Sequence, residues 1–123
     1  MIEGIEYTQW ASYFKDFNRR NRWRPTRLLI LNRSGAEEAE CGMPFVGVSI
    51  EYEGDGAARI HIMLGDHDAT DPRHQTYTIT AVRRVKTVCG MDGYDEALEI
   101  EDEQGETNLL RFEPLPAVSE MRQ

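Results

Sequence analysis

Apolar positions along this chain follow two rhythms, and the first is short. Between Thr8 and Arg20 the rings Trp10, Tyr13, Phe14 and Phe17 fall at i, i+3, i+4 and i+7, one stripe of an α-helix. Gln9, Ser12, Lys15, Asp16, Arg19 and Arg20 form the opposite face. A helix of this length is marginal alone in water, so the stripe predicts burial against the rest of the chain. Thr8 reads as its N-cap, and Asn18 to Asn21 as its end, where Arg19 and Arg20 suit the negative pole of the helix dipole. Pro25 marks the break.

The second rhythm has period two and fills the remainder. Leu28-Leu29-Ile30-Leu31 is unbroken and reads as a strand buried on both faces, so that something must cover each. Asn32-Arg33-Ser34-Gly35 carries turn chemistry, and Ala36 to Gly42 reads as an acidic connector, a helical turn or a loop. From Phe45 to Glu53, Val46, Val48, Ile50 and Tyr52 alternate with Gly47, Ser49 and Glu51. Gly54-Asp55-Gly56 then predicts a hairpin turn, and Ile60, Ile62 and Leu64 return on one face. Thr76 to Val82 forms another strand that bends near Arg83-Arg84 and continues through Val85 and Val88. After a turn at Gly90 to Gly93, Ala97 to Glu101 and Thr107 to Phe112 make a second hairpin, with Leu98 and Ile100 facing Leu110 and Phe112.

These elements predict a single α+β domain over 1–123: a helix at about 8–20, a β body at about 26–113 and a tail from 114 that need not be ordered. The expected body is five or six mostly antiparallel strands in a meander, curled into a strongly bent sheet or a small barrel that the helix caps.

Composition narrows the function classes. The chain has 123 residues and a net charge of −8, which argues against a general nucleic-acid partner. The charge is uneven: residues 1–34 carry seven Lys/Arg against three Asp/Glu, and residues 35–123 carry seven against nineteen. No apolar run suits a membrane span and the acidic first residues lack a signal-peptide core, so a cytoplasmic location is expected, with Cys41 and Cys89 as reduced thiols.

Three constellations carry chemistry. Arg19, Arg20, Arg22, Arg24 and Arg27 with Trp23 combine guanidinium and ring as a single-stranded nucleic-acid surface does. Eight acids and no base lie in residues 92–106, and pairing with them, in this chain or in a second copy, explains the arginines more simply. Asp66, His67, Asp68, Asp71 and His74 offer donors for a divalent cation, with His61 on the strand before, but match no compact ligand spacing; the simpler reading is a solvated loop. No nucleophile elbow, phosphate-cradling loop or Cys–His neighbour pair is present, so no catalytic residue and no cofactor is assigned.

Trp10-x-x-Tyr13 with Phe17, the strand Leu28 to Leu31, Pro44-x-x-Gly47-x-x-x-x-Tyr52, His74 before Thr76 to Ile79, and Leu109-Leu110-Arg111-Phe112 resemble an uncharacterised bacterial domain-of-unknown-function family. That resemblance brings no activity with it. In topology, a helix followed by five strands is similar to the Sm-like, SH3-like small barrels that bind RNA as rings. Their nucleotide-contacting Arg-Gly pair is replaced here by Arg83-Arg84-Val85. The expected function is a non-catalytic protein-interaction or assembly module, with a homo-oligomer among the expected assemblies. The alternatives are an Sm-like RNA-binding domain using Arg19 to Arg27 and a metal-dependent enzyme at the Asp66–His74 loop.

Overall fold

Residues 1–65 and 74–113 are described by the structure, a computed structural model. A 3₁₀ turn at Tyr7–Gln9 leads into α1, Trp10–Asn21. Around it run β1 (Ile2–Ile5), β2 (Pro25–Asn32), β3 (Gly35–Tyr52), β4 (Ala58–Gly65), β5 (His74–Ile79), β6 (Val82–Cys89), β7 (Asp95–Asp102) and β8 (Thr107–Phe112). All eight strands pair antiparallel in one sheet of order β1-β6-β7-β8-β2-β3-β4-β5.

Among the described residues this corrects the strand count from five or six to eight. It also replaces the closed barrel with an open sheet, because β1 and β5 stand at its two edges and do not pair with each other. Nor is the order one meander. β2 to β5 form one run and β6 to β8 another; pairing of β8 with β2 joins the runs, while β5 and β6, consecutive in sequence, lie far apart in the order. The break between β5 and β6 falls at Thr80-Ala81, where Ala81 turns with φ 51°, and not at Arg83-Arg84.

The aromatic stripe does what its spacing demands. Trp10, Phe14 and Phe17 are buried, while Tyr13 is half-buried. Phe17 sits 5.5 Å from the Phe45 ring and 5.7 Å from that of Phe112, and the last two are 5.5 Å apart. Such pairs add about 0.5–1.5 kcal/mol each beyond the area they bury. Trp10 Nε1 donates to the Ile5 carbonyl at 2.8 Å, and Tyr13 donates to Thr87 Oγ1 at 2.8 Å, fastening the helix to β1 and β6. Thr8 is not the N-cap: it lies inside the 3₁₀ turn, and Gln9 takes the cap position without a side-chain hydrogen bond.

Two segments escaped the sequence reading. Ile2–Ile5 is an edge strand paired with Val85 to Val88 of β6. Ala36 to Gly42 is no connector but the first half of the 18-residue β3, its Glu37, Glu38 and Glu40 paired with Ile30, Leu29 and Leu28. Poor strand formers are held there by the ladder to β2. A bulge between Phe45 and Gly47 then shifts the phase of β3, so that Phe45 and Val48 enter the core and Val46 does not. Where β2 leaves, Asn18 of α1 takes its place: its amide donates to the Val48 carbonyl at 2.9 Å and accepts from the Val48 N–H at 2.8 Å.

The run Leu28 to Leu31 is buried on one face only. Leu28 is fully buried, whereas Leu29 and Leu31 point to the opposite sheet face and stay half-buried. Leu98 pairs with Leu110, and both are fully buried, as the second hairpin required; Ile100 and Phe112 are buried too, but Ile100 stands opposite Asn108 and Phe112 opposite Thr26 of β2.

Candidate functional site

The five arginines divide according to the way α1 ends. Arg22 has φ −54° and ψ 134°, Trp23 has φ 70°, and the Arg24 N–H donates to the Asn21 carbonyl at 3.2 Å, which together make a type II turn. The third position of such a turn calls for a positive φ and ordinarily holds glycine. Tryptophan there costs of order 1–3 kcal/mol. The strand beside it holds the turn in place: Trp23 N–H donates to the Phe45 carbonyl at 2.7 Å, and Phe45 N–H to the Arg24 carbonyl at 2.8 Å. Trp23 is 43% exposed, with the Arg22 guanidinium 5.9 Å from its ring centroid.

Beneath the turn lies a polar lock centred on Asp95, whose side chain is only 5% exposed. Arg20 donates to both carboxylate oxygens, through Nε at 3.0 Å and Nη2 at 3.3 Å, and Asn21 Nδ2 donates at 2.8 Å. Arg24 Nη1 donates to Asn21 Oδ1 and to the Asp95 carbonyl, both at 2.8 Å, while its guanidinium lies 4.4 Å from the Phe112 centroid. Burial by itself would raise the Asp95 pKa. The hydrogen bonds from Arg20 and Asn21, with the charges of Arg20 and Arg24, outweigh it and hold the carboxyl below its ordinary range. Burial also pushes the Tyr13 hydroxyl up, against the lowering effect of its bond to Thr87.

Of the eight acids in residues 92–106, then, Asp95 alone forms an ion pair with the basic segment among the described residues. Arg19 pairs with Asp16 on its own helix at 2.6 Å, and Arg27 lies 3.9 Å from Glu38 and 3.8 Å from Glu113. Arg20 and Arg24 are thus bolts of the turn; Arg22 and Trp23 are what the turn presents.

A groove of about 570 Å³ opens beside this lock, and Arg24 and Asp95 belong to its walls. Val88, Ala97 and Leu109 lie along it on the sheet face opposite the core, as the pairing of Val88 with Ala97 and of Glu99 with Leu109 requires. Asp92, Glu96, Glu99 and Glu113 line it too, together with Arg111 and the exposed Tyr94. Sequence reasoning missed Asn21, Tyr94 and the groove, and it held Asp95 as one acid among eight. No local signal marks them, because the groove is made by three strands and the lock by residues 75 positions apart.

The remaining candidates are placed differently. Asp66, His67, Asp68 and Asp71 lie outside the described residues, and His74 is exposed at the start of β5. His61 bridges three strands, Nδ1 to Thr78 Oγ1 and Nε2 to Glu51 Oε1, each at 2.9 Å. Its partners Thr78 and Glu51 are exposed, the ordinary condition of cross-strand polar pairs on a solvated face. Cys41 lies opposite Arg27 on β3, and Cys89 Sγ sits 3.8 Å from Asp95 Oδ1; both thiols are free and neither meets His61. Among the described residues, no helix is long and apolar enough to cross a membrane.

The chain is thus an α+β protein whose described residues place one α-helix on an open antiparallel sheet, with a hydrogen-bonded Arg-Trp turn at the helix end. No protein-family model, curated protein or solved structure matches it.

Proposed function

We propose that this protein is a non-catalytic protein-interaction or assembly module whose contact element is the Arg22–Trp23 turn. One observation carries the reading: an exposed tryptophan occupies a left-handed backbone position that glycine would fill without strain. Strain of this kind persists where the surrounding structure imposes it, and here the Asp95 lock and two bonds to Phe45 do so. A rigid aromatic beside an arginine is the composition of interface hot spots, since little side-chain freedom is lost on contact. The module works in the cytoplasm on this reading, which keeps Cys41 and Cys89 reduced.

The test is Trp23→Gly with thermal unfolding as readout, at a protein concentration too low for self-association. An unchanged or raised midpoint supports a ring kept for contact. A loss of several degrees makes Trp23 a structural residue and removes the reading.

A second reading has one observation in its favour, the stacking of Arg22 on Trp23, which single-stranded nucleic acid exploits. It is weakened by the internal engagement of Arg20 and Arg24 and by the net charge of −8. A mobility-shift assay at low salt with a mixed-sequence single strand decides it: no shift ends the nucleic-acid reading.

A further inference from the structure

The end of the molecule that presents Arg22 and Trp23 also carries a receptor of opposite character. The groove beside Asp95 runs over apolar Val88, Ala97 and Leu109, and four carboxylates, Asp92, Glu96, Glu99 and Glu113, line it. They outnumber the guanidiniums of Arg24 and Arg111, and Arg24 is already engaged by Asn21 and the Asp95 carbonyl. An apolar trough with a surplus of carboxylates suits a ligand that is flat, apolar and positively charged at one side. At about 570 Å³ it is of the size that takes a large side chain with its neighbours.

This chain displays such a ligand itself. Arg22 is exposed and forms no ion pair among the described residues, and it stacks on the exposed ring of Trp23. We propose that the groove is occupied by the Arg22–Trp23 turn of a second copy of the chain. Each copy offers both turn and groove on the same end, so one two-fold axis satisfies both contacts at once and closes the assembly as a dimer. Trp23 enters over Leu109 and Ala97, and Arg22 meets the carboxylates. Asp95 ties donor to receptor, since it anchors the turn through Asn21 and Arg20 and forms part of the groove wall. The inference rests on the interaction-module reading and adds the identity of the partner.

Sedimentation velocity over a wide range of protein concentration tests it, with a charge swap as the decisive arm. Wild type passes from monomer to dimer as concentration rises. Arg22→Glu and the double variant Glu96→Lys/Glu113→Lys each weaken self-association by about tenfold or more. Mixed together, these two variants recover a heterodimer, because the reversed turn now fits the reversed groove and the native contact survives on the other side. Trp23→Gly stays monomeric with its far-UV circular dichroism intact. Wild type that remains monomeric at every concentration overturns the second-copy partner. A dimer indifferent to the variants, or variants that do not complement on mixing, overturns it as well. The module reading fails by a different sign, a Trp23→Gly protein that unfolds several degrees early at a concentration where wild type is itself monomeric, so that loss of the dimer does not enter and the two failures are told apart.

Discussion

α1 and the turn that follows it treat their aromatic residues in opposite ways. Trp10, Phe14 and Phe17 go inward, and their burial is what docks the helix on the sheet. Two residues past the helix end, Trp23 is held outward by a backbone conformation that disfavours its own side chain. The first set illustrates stability obtained from area and packing. The second shows a fold tolerating local strain because hydrogen bonds around the turn over-determine it. Core packing and an outward-held ring are separated within fourteen residues of chain, Trp10 to Trp23.

The sharpest way to break the inner half of this comparison is Phe17→Ala. Phe17 is fully buried among Phe45, Phe112 and Tyr13, so the loss should be about 3–5 kcal/mol, read as a lower denaturation midpoint. Asp95→Ala comes next. It leaves one Asn21 amide proton unpaired, the other still bonding the Phe17 carbonyl, and removes the partner of Arg20, which is itself 46% exposed; a cost of about 2–3 kcal/mol is expected by chemical denaturation. Acid exposes the same lock. Aspartate in an unfolded chain titrates near about 3.9, and Asp95 keeps its charge to lower pH when folded. Its contribution is therefore complete above about pH 4 and disappears as pH falls through the lower folded value. Asp95→Asn should flatten that part of the acid-unfolding curve, and an unaltered curve would mean that Asp95 is not the group responsible.

Smaller effects probe the seam between the two halves. Asn18→Ala leaves the Val48 N–H and carbonyl without the amide that spans them, and about 1–2 kcal/mol should be lost. Trp23→Gly is the smallest and has the opposite sign: relief of the positive φ offsets lost ring contacts, so stability should hold steady or rise by up to about 1 kcal/mol. A large loss there would erase the contrast between the two sets of rings.

Pattern and turn chemistry carried a good part of the fold. The helical stripe, the β3–β4 turn at Gly54 to Gly56 and the β7–β8 hairpin with Leu98 opposite Leu110 were all legible, because each depends on neighbours in sequence. What failed were strands formed from residues that do not favour strands. Glu37, Glu38 and Glu40 are extended because β2 lies beside them, and Ile2–Ile5 because β6 has a free side. The candidate site divides likewise. Arg22 and Trp23 stood out as an arginine-rich stretch with a ring, but nothing local distinguished Arg20 and Arg24, which bond Asp95, from Arg19 and Arg22, which do not.

By itself, then, the sequence determined which faces had to leave water and where the chain had to turn, since side-chain periodicity and glycine chemistry act over a few residues. Tertiary structure alone decided the strand order, the open edges, the choice of Asp95 from eight acids and the left-handed Trp23. Those outcomes rest on hydrogen bonds and charges between residues as distant in sequence as Ile2 and Val88 or Arg20 and Asp95, whose energies exist only once the sheet has brought them together.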